Sequence, residues 1–147
     1  MSTSARIGIE LQSGKVKAIY CNFDGYPNHT GEILLKNYAN HLKLEKLIDL
    51  GTIKFLDALI DPDPKLPHSI QNPQPGVTEV YGRDGEAEDH EPAEFLSSIE
   101  EFMVEQSYHT YSYIYTKEGK WLARCMNHPF SKGRKYNTIE TYLAFTS

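Results

Sequence analysis

The residues best placed for chemistry cluster where an apolar run ends in Asp24-Gly25-Tyr26-Pro27 and a helical pattern opens near Gly31. Backbone N–H groups at a helix start attract anions, and an aromatic ring beside them can stack a base or a sugar. Tyr20, Asp24, Gly25, Tyr26 and Gly31 therefore form a first candidate binding set, with Asp24 suited to accept from a ribose hydroxyl or an amine. The competing reading is a rigid Asx-type turn that sets the angle between strand and helix. A second set is Tyr81-Gly82-Arg83-Asp84. The planar fork of Arg83 fits phosphate or carboxylate, and it is equally fit to pair with Asp84, Glu86 and Asp89 beside it. If the two sets face each other, Tyr81 and Arg83 close a hollow for a small nucleotide-like anion.

Other chemistries find less support. A metal site would draw on Cys21, His29, Cys125 and His128, where Cys125-x-x-His128 has tolerable ligand spacing; the alternative is that the cysteines are core residues. Neither a metal nor a cofactor is expected. Cys21 with His29 or His128 is the one nucleophile–base pair to suggest itself, and nothing in the pattern orients a third group. The acids from Asp84 to Glu91 repel one another in a hydrated stretch, a poor setting for tuned acid–base work. The chain has no Gly-x-Gly-x-x-Gly, Walker or Gly-x-Ser-x-Gly pattern. A non-catalytic protein is expected, with a small hydrolase the third choice.

A formal charge of -5 argues against general nucleic-acid binding. The charge is uneven: Asp84, Glu86, Glu88, Asp89, Glu91 and Glu94 crowd one segment, and Lys117, Lys120, Arg124, Lys132, Arg134 and Lys135 crowd another. Both read as solvated surfaces that can steer a charged partner. Ten tyrosines in 147 residues suggest a sheet face, groove or contact surface, and a homodimer is one use of such a surface. No apolar run is long enough for a membrane span, and Met1-Ser2-Thr3-Ser4-Ala5-Arg6 lacks a signal-peptide core, so the expected location is cytoplasmic.

The elements that must position these residues follow from periodicity. Residues 6–11 and 15–23 alternate around Gly14 as a hairpin, the second strand apolar on both faces and hence central. Thr30 is placed to cap a helix with an apolar stripe of Ile33, Leu34, Leu35, Tyr38 and Leu42; Asn40-His41 marks a kink or stop, and a second helix over 43–50 ends at Gly51. Residues 52–60 suit a short helix or a strand. A Pro-rich loop spans 61–76, a strand 77–81 and an acidic loop 82–91. Pro92, then Phe95, Leu96, Ile99, Phe102 and Met103, with Glu94, Glu100, Glu101 and Glu105 on the wet side, predict one continuous helix. Residues 109–116 and 121–126 form a Tyr-rich hairpin, and 136–145 add a strand or a short helix. The order predicts a single α+β domain over 1–147: a mostly antiparallel sheet with two or three helices packed on one face.

Tyr20-Cys21-x-Phe23-Asp24-Gly25-Tyr26-Pro27, Gly31-x-x-Leu34-Leu35-x-x-Tyr38, Leu47-Ile48-x-Leu50-Gly51 and Tyr81-Gly82-Arg83-Asp84 together resemble a family of small proteins from bacteriophages, prophages and plasmids. The likeness covers roughly the first two-thirds of the chain. Asn22-Phe23 stands where that family's motif has His-Trp. The resemblance implies a mobile-element setting, in which small accessory proteins bind host factors or capture nucleotide messengers of host defence. It implies no catalytic activity. The expectation is a counter-defence protein sequestering a nucleotide-like anion, or an inhibitor gripping a host protein through its acidic loop and Tyr-rich hairpin.

Overall fold

The N-terminal hairpin is the frame on which everything else is laid. In the computed structural model, which describes residues 3–104, 111–125 and 135–146, β1 (Ala5–Glu10) and β2 (Val16–Cys21) pair antiparallel from Ala5↔Cys21 to Glu10↔Val16. Gly14 makes the turn at φ 90°, where a Cβ would be strained. Ile7, Ile9, Ile19 and Cys21 line one face of the hairpin; Arg6, Gly8, Val16 and Ala18 line the other. All eight are buried, so both faces are covered.

A second hairpin, β6 (Tyr111–Tyr115) and β7 (Trp121–Cys125), turns at Gly119 with φ 88°. The two hairpins meet through β1 and β6, which run parallel from Ala5↔Tyr111 to Ile9↔Tyr115. With β3 (Ile53–Phe55), β4 (Glu79–Val80) and β8 (Asn137–Thr138), the sheet order is β4-β3-β2-β1-β6-β7-β8, and β5 (Glu94–Leu96) also pairs with β2. The α+β class holds, and the sheet is mostly antiparallel as expected; β1–β6 and β2–β3 are its parallel pairs, which make it mixed. Each hairpin is local; how two hairpins abut is a long-range choice that local turns do not constrain.

Helices cover both faces, not one. Leu34 of α1 (Glu32–Asn37), Leu44, Leu47 and Ile48 of α2 (His41–Ile48), and Ile139 and Tyr142 of α4 (Ile139–Thr146) share a core with Ile7, Ile9, Ile19 and Tyr113. Burying each of these leucines stabilises the fold by about 1.5–3 kcal/mol. On the opposite face, Phe102 of α3 (Ile99–Val104) packs with Val16, Ala18, Leu96 and Ile114. Gly8 permits that contact, since a Cβ there would stand 2.7 Å from the Phe102 ring.

Three local expectations change. The helix from Pro92 becomes a strand followed by a shorter helix: residues 94–96 satisfy the free edge of β2 (Val16↔Leu96, Ala18↔Glu94), and the Ser98 hydroxyl then accepts the Glu101 N–H (3.1 Å) to start α3. Glu105 lies outside the described residues. Thr30 does not cap α1; it sits within a π-helical turn (Pro27–Gly31) that runs straight into the helix, and its hydroxyl donates to the Asp24 carbonyl (2.8 Å). Asn40 is the working cap, accepting from the Lys43 N–H (2.9 Å) at the start of α2. The open choices resolve as β3 within 52–60 and as β8 followed by α4 near the C-terminus. Among the described residues, no helix is long and apolar enough to cross a membrane.

Candidate functional site

The strand-to-helix junction is packed inward. Asp24 adopts φ 54°, a left-handed conformation that aspartate tolerates better than most residues. Gly25 donates its N–H to the Thr3 carbonyl (2.7 Å) and accepts the Tyr113 hydroxyl (2.6 Å). A Cβ at Gly25 would lie 2.6 Å from Thr3 O and 2.7 Å from the Ala5 Cβ. Gly31 is buried against Tyr113 and Ile139, and its N–H points back to the Tyr26 carbonyl. Tyr26 is half-buried, its ring 6.1 Å from that of His29. Asp24, Gly25 and Gly31 therefore serve to fasten β2 to α1 against the core.

Arg83 faces its own chain. Its Nε and Nη2 hold both Asp84 carboxylate oxygens (2.7 and 3.0 Å), while Nη1 donates to the Ile60 carbonyl (2.8 Å) and Nη2 to that of Thr78 (3.0 Å). Asp84 also accepts the Val80 N–H (2.8 Å), and His68 Nε2 lies 3.0 Å from it. His68 Nδ1 accepts the Gln74 N–H (3.0 Å), which assigns the ring proton to Nε2, facing the carboxylate. Burial alone would raise the Asp84 pKa; Arg83, the Val80 N–H and His68 outweigh it and hold the carboxyl below its usual range. Gln74 in turn bonds Asp63, Leu66 and Pro67, so the Pro-rich loop is tied down along its length.

Of the seven sequence-derived site residues, Tyr20 opens onto a hollow. This space of about 430 Å³ is lined by Tyr20, Asn22, Thr52, Glu88, Asp89 and Glu91. Asn22 follows Tyr20 by two positions, just past the end of β2. Tyr81 supports the rim: its buried hydroxyl accepts from Asn22 (3.2 Å), and burial raises its pKa. The Tyr20 hydroxyl donates to Glu94 (3.1 Å). Three carboxylates, an amide and two hydroxyls make these walls rich in hydrogen-bond acceptors and negative in sign. They suit hydroxyls and amines rather than phosphate. The spacing of two positions already keeps Asn22 near Tyr20; nothing local brings Thr52 or the acidic turn (Ala87–Asp89) opposite them.

The remaining expectations can be placed. Cys21 is buried and donates to the Phe23 carbonyl, and burial pushes the Cys21 and Cys125 thiols each up to about 12. His29 Nε2 lies 3.0 Å from the Leu56 carbonyl, with its ring on Phe55, and His128 lies outside the described residues. No group of three or more His, Cys, Asp or Glu positioned for a metal occurs among the described residues. In the Tyr-rich hairpin Tyr113 and Tyr115 are buried and Tyr111 half-buried, which leaves little of it for a partner. Arg124 is buried too and forms no part of an exposed basic surface; Lys132 and Arg134 lie outside the described residues. No known protein family matches the chain, and no curated protein or solved structure is detectably similar to it.

Proposed function

We propose that this chain is a non-catalytic accessory protein of a phage or related mobile element, acting in the host cytoplasm as a counter-defence factor that sequesters a small nucleotide-like anionic ligand. The observation that supports this reading is the hollow beside Tyr20, whose Asn22, Thr52, Glu88, Asp89 and Glu91 offer acceptors beside an aromatic residue. Such a constellation receives the sugar hydroxyls and exocyclic amines of a nucleoside, while negative walls turn the ligand's charged group outward. A second reading, a protein inhibitor of a host factor, draws on the exposed carboxylates of Glu88, Asp89 and Glu91.

The test is a panel of nucleotide messengers added to the pure protein, with melting temperature as readout and mass spectrometry of the recovered ligand. At a hundredfold excess over Kd, a captured ligand raises the melting temperature by about 5–10 °C in a chain of this size and returns chemically unchanged. Replacing Glu88, Asp89 and Glu91 by Gln, Asn and Gln weakens binding at least about tenfold, the worth of one lost hydrogen bond to a charged acceptor. Tighter binding after neutralisation would show that the ligand's anion occupies the hollow and would overturn the orientation. No response to any nucleotide refutes sequestration in favour of the protein-partner reading, and altered ligand would mark an enzyme.

A further inference from the structure

On the face of the sheet beneath α3, four side chains stand in one row across neighbouring strands. Tyr20 is in register with Arg6, Arg6 with Ser112, and Ser112 with Arg124. Residues in register project to the same side, so a row that begins at the Tyr20 hollow continues into the interior as two arginines flanking a serine. Arg6 is 0% exposed and Arg124 is 1% exposed. Arg6 is clamped by α3: its guanidinium lies 3.8 Å from the Phe102 ring centroid, and Nη2 donates to the Phe102 carbonyl (2.5 Å).

Arg124 is built differently. Its guanidinium lies 5.9 Å from the Tyr136 ring centroid, yet buried Nε and Nη2 have no hydrogen-bond partner among the described residues. These two nitrogens form one edge of the fork. Arg83 uses that same edge, at 2.7 and 3.0 Å, to hold the two carboxylate oxygens of Asp84. Ser112, the register partner of Arg124, and Tyr136, whose ring faces its guanidinium, share a single hydroxyl–hydroxyl hydrogen bond (2.9 Å), which uses one of their two protons and leaves the other to donate. Two buried guanidinium nitrogens without an acceptor are unfavourable, so a partner of opposite charge is the expected complement of this side of the fork.

We propose that Arg124, with Ser112 and Tyr136, forms a binding site for a compact oxyanion that presents two oxygens on one edge, the chemistry shared by a phosphate group and a carboxylate. The site is separate from the Tyr20 hollow and stands whether or not a nucleoside binds there.

The test titrates the full-length protein with inorganic phosphate, with acetate and with chloride at matched ionic strength, following melting temperature, calorimetric heat and the Arg124 Nε–H resonance. A saturable stabilisation by phosphate or acetate that chloride does not reproduce, together with a displaced Arg124 Nε–H signal, is the expected result. Which anion acts identifies the ligand group. Arg124→Met fills similar volume without charge and should lose the saturable response at least tenfold. The Glu88, Asp89 and Glu91 replacements should leave it unchanged, which separates this site from the hollow. Equal effects of all three salts, an Nε–H signal that does not move, or an Arg124→Met variant with wild-type anion affinity would each overturn the proposal. Should Arg124→Met fail to fold, the Nε–H titration of the native chain decides alone.

Discussion

Replacing Asp84 by alanine probes the most connected carboxylate outside the candidate sites. The side chain is 3% exposed and receives Arg83 Nε and Nη2, the Val80 N–H and His68 Nε2 within 2.7–3.0 Å. Its removal strips acceptors from the buried Val80 amide and from His68, and breaks a charge pair. Arg83 keeps the Ile60 and Thr78 carbonyls and is 25% exposed at its side chain, so water reaches part of the stranded charge. Breaking a buried pair in this way costs about 3–5 kcal/mol, against a total stability of about 5–15 kcal/mol for a domain of this kind. Urea unfolding at pH 7 should therefore show a lower midpoint at unchanged slope, and melting should fall by roughly 10 °C. Arg83→Ala should cost less, because Asp84 keeps Val80 and His68.

The pH dependence carries a sign. The Asp84 carboxyl is held below its ordinary value in the folded state. Its contribution is therefore complete above the unfolded-state value of about 3.9 and is lost as pH falls through the depressed native one. The stability gap between wild type and Asp84→Ala should be fully open at neutral pH and narrow below about pH 4. A loss under about 1 kcal/mol, or a gap as wide at about pH 3 as at neutrality, would refute the assignment of Asp84 as the tie between the two loops.

Further outcomes follow from burial and contact. Because burial raises both cysteine thiols to about 12, neither should react with a disulfide reagent at pH 8 faster than the chain opens, and both should react at once in denaturant. Prompt labelling of the native protein would contradict that burial. Gly25→Ala should destabilise by about 1–3 kcal/mol through collision with the Thr3 carbonyl and Ala5, as read by urea midpoint; a neutral effect would mean that the junction yields. Tyr113→Phe removes the 2.6 Å bond to the Gly25 carbonyl and should cost about 1–2 kcal/mol in the same assay. In the double variant the two losses should not add, since both act through the position of Gly25.

What the sequence by itself determined is what local geometry can enforce. Gly14 and Gly119 supply the positive φ that each hairpin turn needs, and both hairpins stand where alternation places them. The α2 helix with its Gly51 stop, the irregular Pro-rich stretch and the α+β class were legible for the same reason. Tertiary structure alone decided which edges meet. It joined β1 to β6 in parallel, and it drew residues 94–96 out of a helical pattern to complete the edge of β2. It also decided between the two uses the sequence left open for Arg83, pairing it with Asp84 and bracing it on Ile60 and Thr78. Arg6 and Arg124 show the limit most clearly. A period of two marks which residues share a face, but whether that face meets water or a helix depends on chain that folds back from far along the sequence. Both arginines lie in the interior because α3 and Tyr136 cover their side of the sheet.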